Sequence, residues 1–213
     1  AGYEFAYGVD EFAGKKESAE KMVLFQKGEK KNNDLPYVAE RVDGDLTLPQ
    51  VVESAIEFLN NEKGFFLMVE GGKIDWAAHS NDLAGTIFET LDFDAAIALA
   101  YEFYKQHPDE TLIVVTADHE TGGVTLGRGK GYVYDLNVVK SPAESKVEGG
   151  SDVSNYMEGI SADSLSVAAK IGWTTTSHTG GAVPVFAVGA GSEAFAGRQD
   201  NTDIPKKICK AMG

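Results

Sequence analysis

Gly64-Phe65-Phe66-Leu67-Met68-Val69 runs without a break into Glu70-Gly71-Gly72-Lys73-Ile74-Asp75-Trp76-Ala77-Ala78-His79, and the reading of this stretch decides the fold. A short apolar run rich in Phe and Val predicts a strand covered on both faces, because neither face is set aside for water. Two more runs share its character, Thr111-Leu112-Ile113-Val114-Val115-Thr116-Ala117 and Val183-Pro184-Val185-Phe186-Ala187-Val188. Around them the apolar residues change to helical spacing. Val51, Val52, Ala55, Ile56 and Leu59 follow Leu48-Pro49, and Ile87, Leu91, Ala95, Leu99 and Phe103 mark a second helix over 83–104. Strands alternating with helices predict an α/β fold, a three-layer α/β/α sandwich around a mostly parallel sheet.

Residues 127–151 break the pattern, with Gly127, Gly129, Gly131, Gly149 and Gly150 among mixed polar residues. They predict an excursion from the core, an insertion or lid. The lysine-rich segment 27–33 reads as a solvated loop. Helical spacing resumes over 160–173 through Leu165, Ala168 and Ala169, and a last helix starts at about Ile204 after Asn201-Thr202-Asp203, which suits an N-cap. With 213 residues, 43% of them hydrophobic, the chain can bury a sizeable core in one domain.

The formal net charge of -14 excludes a long basic track for nucleic acid or anionic lipid. No run of about eighteen apolar residues predicts a transmembrane segment, and Ala1-Gly2-Tyr3-Glu4 lacks the features of a secretory signal. The single cysteine, Cys209, permits neither an intrachain disulfide nor a thiolate zinc cage, and reads as a buried or half-buried residue of the terminal helix.

The residues with chemistry to offer stand beside the three apolar runs, where open parallel sheets place ligand sites. Glu70, Asp75 and His79 follow the first run, Asp118-His119-Glu120-Thr121-Gly122-Gly123 follows the second, and Ser177-His178-Thr179-Gly180-Gly181 precedes the third. If the chain turns helical at Ile74, Asp75 and His79 leave one face a turn apart and can grip one ion. Asp118 and His119 can serve one ion only if the strand has ended by Asp118, since neighbours on a strand point to opposite faces. Imidazole and carboxylate donors without thiolate suit catalytic zinc, and Glu70 adds a hard oxygen suited to magnesium. Singly, each residue has an ordinary use as a helix cap or a hydrogen-bonded core residue. His107, before Pro108, reads as a surface residue.

In order and context, Val-Glu-Gly-Gly-Lys-Ile-Asp-Trp-Ala-Ala-His (69–79), Val-Thr-Ala-Asp-His-Glu-Thr-Gly-Gly (115–123) and His-Thr-Gly (178–180) resemble the metal-binding segments of the alkaline phosphatase family, from about Leu35 onward. The resemblance implies the C-terminal part of that fold. It implies two zinc sites, Asp75, His79 and His178 holding one ion and Asp118 and His119 holding the other, and one magnesium site that includes Glu70. Trp76 is expected to shape the substrate pocket without binding metal. The implied reaction is hydrolysis of phosphate monoesters through a phosphoserine, with two zinc ions stabilising the attacking and leaving oxygens. The implied setting is periplasmic or secreted, with a homodimer as one expected assembly.

The family's nucleophile lies in an Asp-Ser-Ala motif upstream of these segments, and that tripeptide does not occur in this sequence; Asp163-Ser164-Leu165 is the nearest match and reads as a helix start. Arg41, Arg128 and Arg198 stand in no context matching the family's phosphate-binding arginine. The expected partner is therefore the missing N-terminal half of the same enzyme, and the chain alone is expected to be inactive. Two alternatives stay open: an isolated metal-binding fragment without turnover, and a related superfamily phosphodiesterase or mutase.

Overall fold

The computed structural model describes residues 2–27, 34–144 and 164–213. In chain order these form β1 (Glu4–Tyr7), α1 (Val9–Lys15), β2 (Met22–Phe25), α2 (Leu48–Leu59), α3 (Gly72–His79), α4 (Leu83–Gln106), β3 (Leu112–Val115), β4 (Glu120–Thr121), β5 (Thr125–Leu126), α5 (Ser164–Ala169), β6 (Ile171–Gly172), β7 (His178–Thr179), β8 (Phe186–Gly189) and α6 (Asp203–Met212). Residues 28–33, 145–151 and 160–163, which carry parts of the expected loop, lid and helix, lie outside the described residues.

The helices begin where the sequence supplies an acceptor for orphaned backbone donors. Thr47 and Gln50 close a capping box on α2, with the Gln50 amide 3.3 Å from Thr47 Oγ1 and the Thr47 amide 2.9 Å from Gln50 Oε1. The buried Asp82 caps α4 by accepting from the Gly85 amide at 2.9 Å. Between α3 and α4 the chain reverses through Asn81, which takes the left-handed conformation at φ 50 that Asn tolerates better than most residues. Its side-chain amide donates to the carbonyls of Ala78 at 3.2 Å and Thr175 at 2.8 Å. That second bond ties the end of α3 to the loop before β7.

The fold is α/β, with α4 packed against α2 and α3. Ala78, Leu83, Ala169, Ile171 and Trp173 form the buried core, with Ile87, Val138, Val139 and Leu165 against it. The indole N–H of Trp173 donates to Ser166 Oγ at 3.0 Å, which removes the cost of burying it. The strand ladders are short. Among the described residues β1 and β2 pair in parallel, whereas β3 with β8, β4 with β7 and β5 with β6 are antiparallel.

Two of the three apolar runs carry β3 and β8, in register from Leu112↔Gly189 to Val115↔Phe186. The first run makes no ladder among the described residues and is covered on one face only: Phe65, Leu67 and Val69 are half-buried, while Phe66 is 56% and Met68 71% exposed. Period-two exposure is what an extended segment shows when one face lacks a covering layer.

Several local expectations need correction. The helix expected up to Trp173 ends at Ala169, because Lys170 turns the chain at φ 58 and Ile171 enters β6 opposite Leu126. Asp203 opens α6 from inside the helix, and Thr202 makes no side-chain cap bond; Asp200 accepts from the Thr202 amide at 2.9 Å instead. Cys209 is exposed, on the solvent side of α6. His107 is half-buried at the C-terminus of α4, its ring 4.6 Å from that of Phe103. The unit β1–α1–β2 was not foreseen.

Glu89 and Asp92 point from α4 to the segment before α2. The Val38 amide donates to Glu89 Oε1 at 2.6 Å, and Arg41 forms a bidentate pair with Asp92 at 2.6 and 2.5 Å. Burial pushes the Glu89 carboxyl above its ordinary 4.5, although the Val38 amide and Arg41 pull it down. The folded state thus holds this proton more tightly than the unfolded chain. Stability from this group is full below the unfolded pKa and is lost as pH rises through the raised folded value. Glu89→Gln keeps the carbonyl that accepts from Val38, so denaturant unfolding between about pH 4 and pH 8 is expected to show a flatter fall of stability with pH than in the parent chain.

Candidate metal centre

α3 carries two of the expected ligands. Helical backbone from Gly72 places Asp75 and His79 one turn apart, with His79 Nε2 3.5 Å from Asp75 Oδ1. The other side of the site comes from the β4–β7 ladder, whose register sets Thr121 opposite His178. β3 ends at Val115 and the chain bends at Asp118 and His119 before β4 begins. The strand's alternation is thereby broken where both residues are needed on one side.

His178 Nε2 lies 3.1 Å from His79 Nε2 and 3.7 Å from Asp75 Oδ1. Together with the 3.5 Å between His79 and Asp75, these distances close a triangle of three donor atoms. A point equidistant from its corners lies about 2.0 Å from each donor, the length of a zinc–nitrogen or zinc–carboxylate bond. The residues therefore fit a small divalent ion. His119 joins from the opposite side, its ring stacked on that of His178 with centroids 3.5 Å apart. Asp75, His119 and His178 each bring one donor atom within 4.8 Å of the others.

The outer ring nitrogen of His79 is engaged as metal-ligating imidazoles usually are. Its Nδ1 lies 2.6 Å from the Thr176 carbonyl, which can only accept, so Nδ1 carries the hydrogen and Nε2 the lone pair. His119 Nδ1 lies 3.2 Å from Thr121 Oγ1.

Two expected ligands stand apart from this cluster. Asp118 extends to solvent, its side chain 87% exposed, with Oδ2 3.2 Å from His119 Nε2. Glu70, also exposed, lines a neighbouring cavity with Asp34, Arg41, Lys73, Trp76 and Glu89. There the Lys73 ammonium sits 4.2 Å from the Tyr37 ring centre and 4.1 Å from that of Trp76, and it pairs with Asp34. Lys73 thus pins the start of α3 to the segment that leads into α2.

Glu120 and Thr121 received no separate role from the sequence. The Glu120 carboxylate accepts from the amides of Gly123 at 3.0 Å and Val124 at 3.3 Å and from the Thr179 hydroxyl, clamping the turn after β4 to β7. Thr121 Oγ1 donates to Asp75 Oδ1 at 2.6 Å. No sequence signal singled out Thr121, because the bend at Asp118 and His119 interrupts the alternation that would relate it to His119.

Fold and site together define an α/β protein with nitrogen and oxygen donors gathered where α3, the bend before β4 and β7 meet. The chain belongs to the alkaline phosphatase family, whose family model matches residues 9–213. The match begins well before Leu35, where the sequence motifs placed it. Alkaline phosphatase 3 of Bacillus subtilis is 36% identical over 216 residues, covering 84% of this chain and 46% of that protein. A cold-active alkaline phosphatase from a psychrophilic Shewanella superposes with a TM-score of 0.74 at 30% identity, covering 100% of this chain and 60% of its own. A variant of the alkaline phosphatase from the Antarctic bacterium TAB5, solved with magnesium in its M3 site, gives 0.66 at 28% identity, covering 99% of this chain and 52% of that one. The chain spans about half the length of the curated relatives it matches.

The site depends on a glycine pair. Gly122 has φ +85, and a Cβ there would lie 2.6 Å from the Trp173 ring; Gly123 has φ +59, and its Cβ would fall 1.7 Å from Thr174 Oγ1. Gly122→Ala is expected to cost about 2 kcal/mol or more in chemical denaturation, from backbone strain and overpacking together.

Proposed function

We propose that this chain is the metal-binding C-terminal part of a single alkaline phosphatase domain that hydrolyses phosphate monoesters, with residues 127–151 as an insertion or lid. The donor triangle of Asp75, His79 and His178 carries this reading. In the proposed assignment these three hold one zinc, Asp118 and His119 hold a second, and Glu70 contributes to a magnesium site, in keeping with the magnesium held by the TAB5 variant. Bound zinc supplies Lewis-acid stabilisation of the oxygens entering and leaving phosphorus.

The chain's own residues set the stage for that chemistry. Thr176 orients His79 through the 2.6 Å bond to Nδ1, and Glu120 clamps the turn after β4 to β7. Trp76, 40% exposed on α3, stands beside the cluster with Lys73 against its ring, where it can border a bound ester. The nucleophilic serine is assigned to the N-terminal half of the enzyme. Phe66, Met68 and Phe186, 56%, 71% and 64% exposed, are apolar side chains that half could cover. By family the setting is periplasmic or secreted and a homodimer is the proposed assembly; among the described residues no helix is long and apolar enough to cross a membrane.

Zinc titration by calorimetry tests the triangle. The parent chain is expected to bind zinc, and His178→Ala to bind at least tenfold more weakly. Mixing the zinc-loaded chain with an N-terminal half that carries Asp-Ser-Ala is expected to release nitrophenol from nitrophenyl phosphate. Zinc binding without that release would favour a metal-binding fragment, and equal affinity in the two chains would remove the triangle.

A further inference from the structure

Thr121 stands between the two sets of ligands and touches both. Its hydroxyl oxygen is 2.6 Å from Asp75 Oδ1 on α3 and 3.2 Å from His119 Nδ1 on the bend before β4. A hydroxyl has one hydrogen to give and lone pairs to receive with. An ionised carboxylate can only accept, so the short bond to Asp75 uses that hydrogen. Toward His119 the hydroxyl can then only accept, which places a hydrogen on Nδ1 and leaves the Nε2 lone pair free.

Backbone and hydroxyl thus achieve the same result on two imidazoles. The Thr176 carbonyl fixes His79 as the Nδ1–H tautomer, and Thr121 fixes His119 as the same tautomer while turning Asp75. We propose that Thr121 is a positioning residue that sets the tautomer of His119 and the orientation of Asp75 in one relay, presenting both to divalent metal. The metal part of this inference rests on the function proposed above; the tautomer part does not. One group opposes it. Asp118 Oδ2, 3.2 Å from His119 Nε2, would hold a hydrogen on Nε2 if the other tautomer prevailed. Asp118 is largely solvated, at 87% side-chain exposure, and its attraction for that hydrogen is weakened by water.

The test reads the tautomer directly. Long-range proton–nitrogen correlation spectra of the metal-free, nitrogen-15 histidine-labelled chain, at about pH 8 where imidazoles are neutral, identify the protonated nitrogen of each ring. His119 is assigned by its absence from a His119→Asn spectrum. The parent chain and Thr121→Ser are expected to show His119 protonated on Nδ1, and Thr121→Val, which keeps the shape without the hydroxyl, to shift it to Nε2. Zinc affinity is expected to fall about 10- to 100-fold in Thr121→Val, with most of the loss restored in Thr121→Ser. A parent chain with His119 protonated on Nε2, or a Thr121→Val spectrum identical to it, overturns the relay. Failure of the parent chain to bind zinc would overturn the metal reading while the spectra still decide the tautomer. A tautomer shift with unchanged zinc affinity would overturn the role toward metal.

Discussion

One oxygen organises the centre of this molecule. Asp75 Oδ1 receives the Thr121 hydroxyl at 2.6 Å and lies within 3.5 and 3.7 Å of the ring nitrogens of His79 and His178. Those nitrogens come from a helix turn and from a strand nearly a hundred residues later. Without a positive charge between them, converging donors repel or must share protons. Every element around the site is therefore occupied in holding atoms together that have little mutual attraction of their own.

The scaffold does this with backbone and short polar side chains, which lose little entropy on being fixed. Asn81 bonds the end of α3 to Thr175, Gly122 receives the Thr174 amide at 3.0 Å, and the Gly122 amide donates to the Ser177 carbonyl, also at 3.0 Å. Trp173 fills the space behind, against Ala78 and Leu83. The result is a loop over 173–178 held from α3 on one side and from the β4 turn on the other. Sites fixed by packed and hydrogen-bonded supports hold geometry better than sites on free loops.

Most of the helical frame was legible from apolar residues at helical spacing, with Leu48-Pro49 opening α2, whereas the Thr47–Gln50 box and the Asp82 cap emerged only in the fold, and Leu91 and Ala95 of the face expected on α4 are exposed. β3 and β8 were legible as apolar runs, but they pair antiparallel where a mostly parallel sheet was expected, since pairing direction depends on partners distant in sequence. The same limit explains β6: a two-residue strand inside a helical-looking stretch exists only because Leu126 lies opposite Ile171. Three of the proposed ligands, Asp75, His79 and His178, could be named from their motifs, and so could the bend that frees Asp118 and His119. Thr121, Thr176 and Asn81 could not. Their importance lies in which atom each bond leaves free, and that is a property of the folded arrangement rather than of residue type.

A charge balance closes the physical picture. With 33 acidic and 19 basic residues the chain repels phosphate over most of its surface. Two cations near the site are held in place, Arg41 by Asp92 and Lys73 by Asp34 between two aromatic rings, whereas Arg128 and Arg198 are exposed. The charges of Arg41 and Lys73 are offset by the carboxylates that hold them. In the proposed assignment, positive charge at the centre comes from the bound ions, set against the carboxylates of Asp75, Asp118 and Glu70, while the imidazoles are neutral donors. Divalent ions in that assignment outweigh the carboxylates this chain offers them, and that excess is the field through which the proposed site would attract phosphate to an otherwise acidic protein.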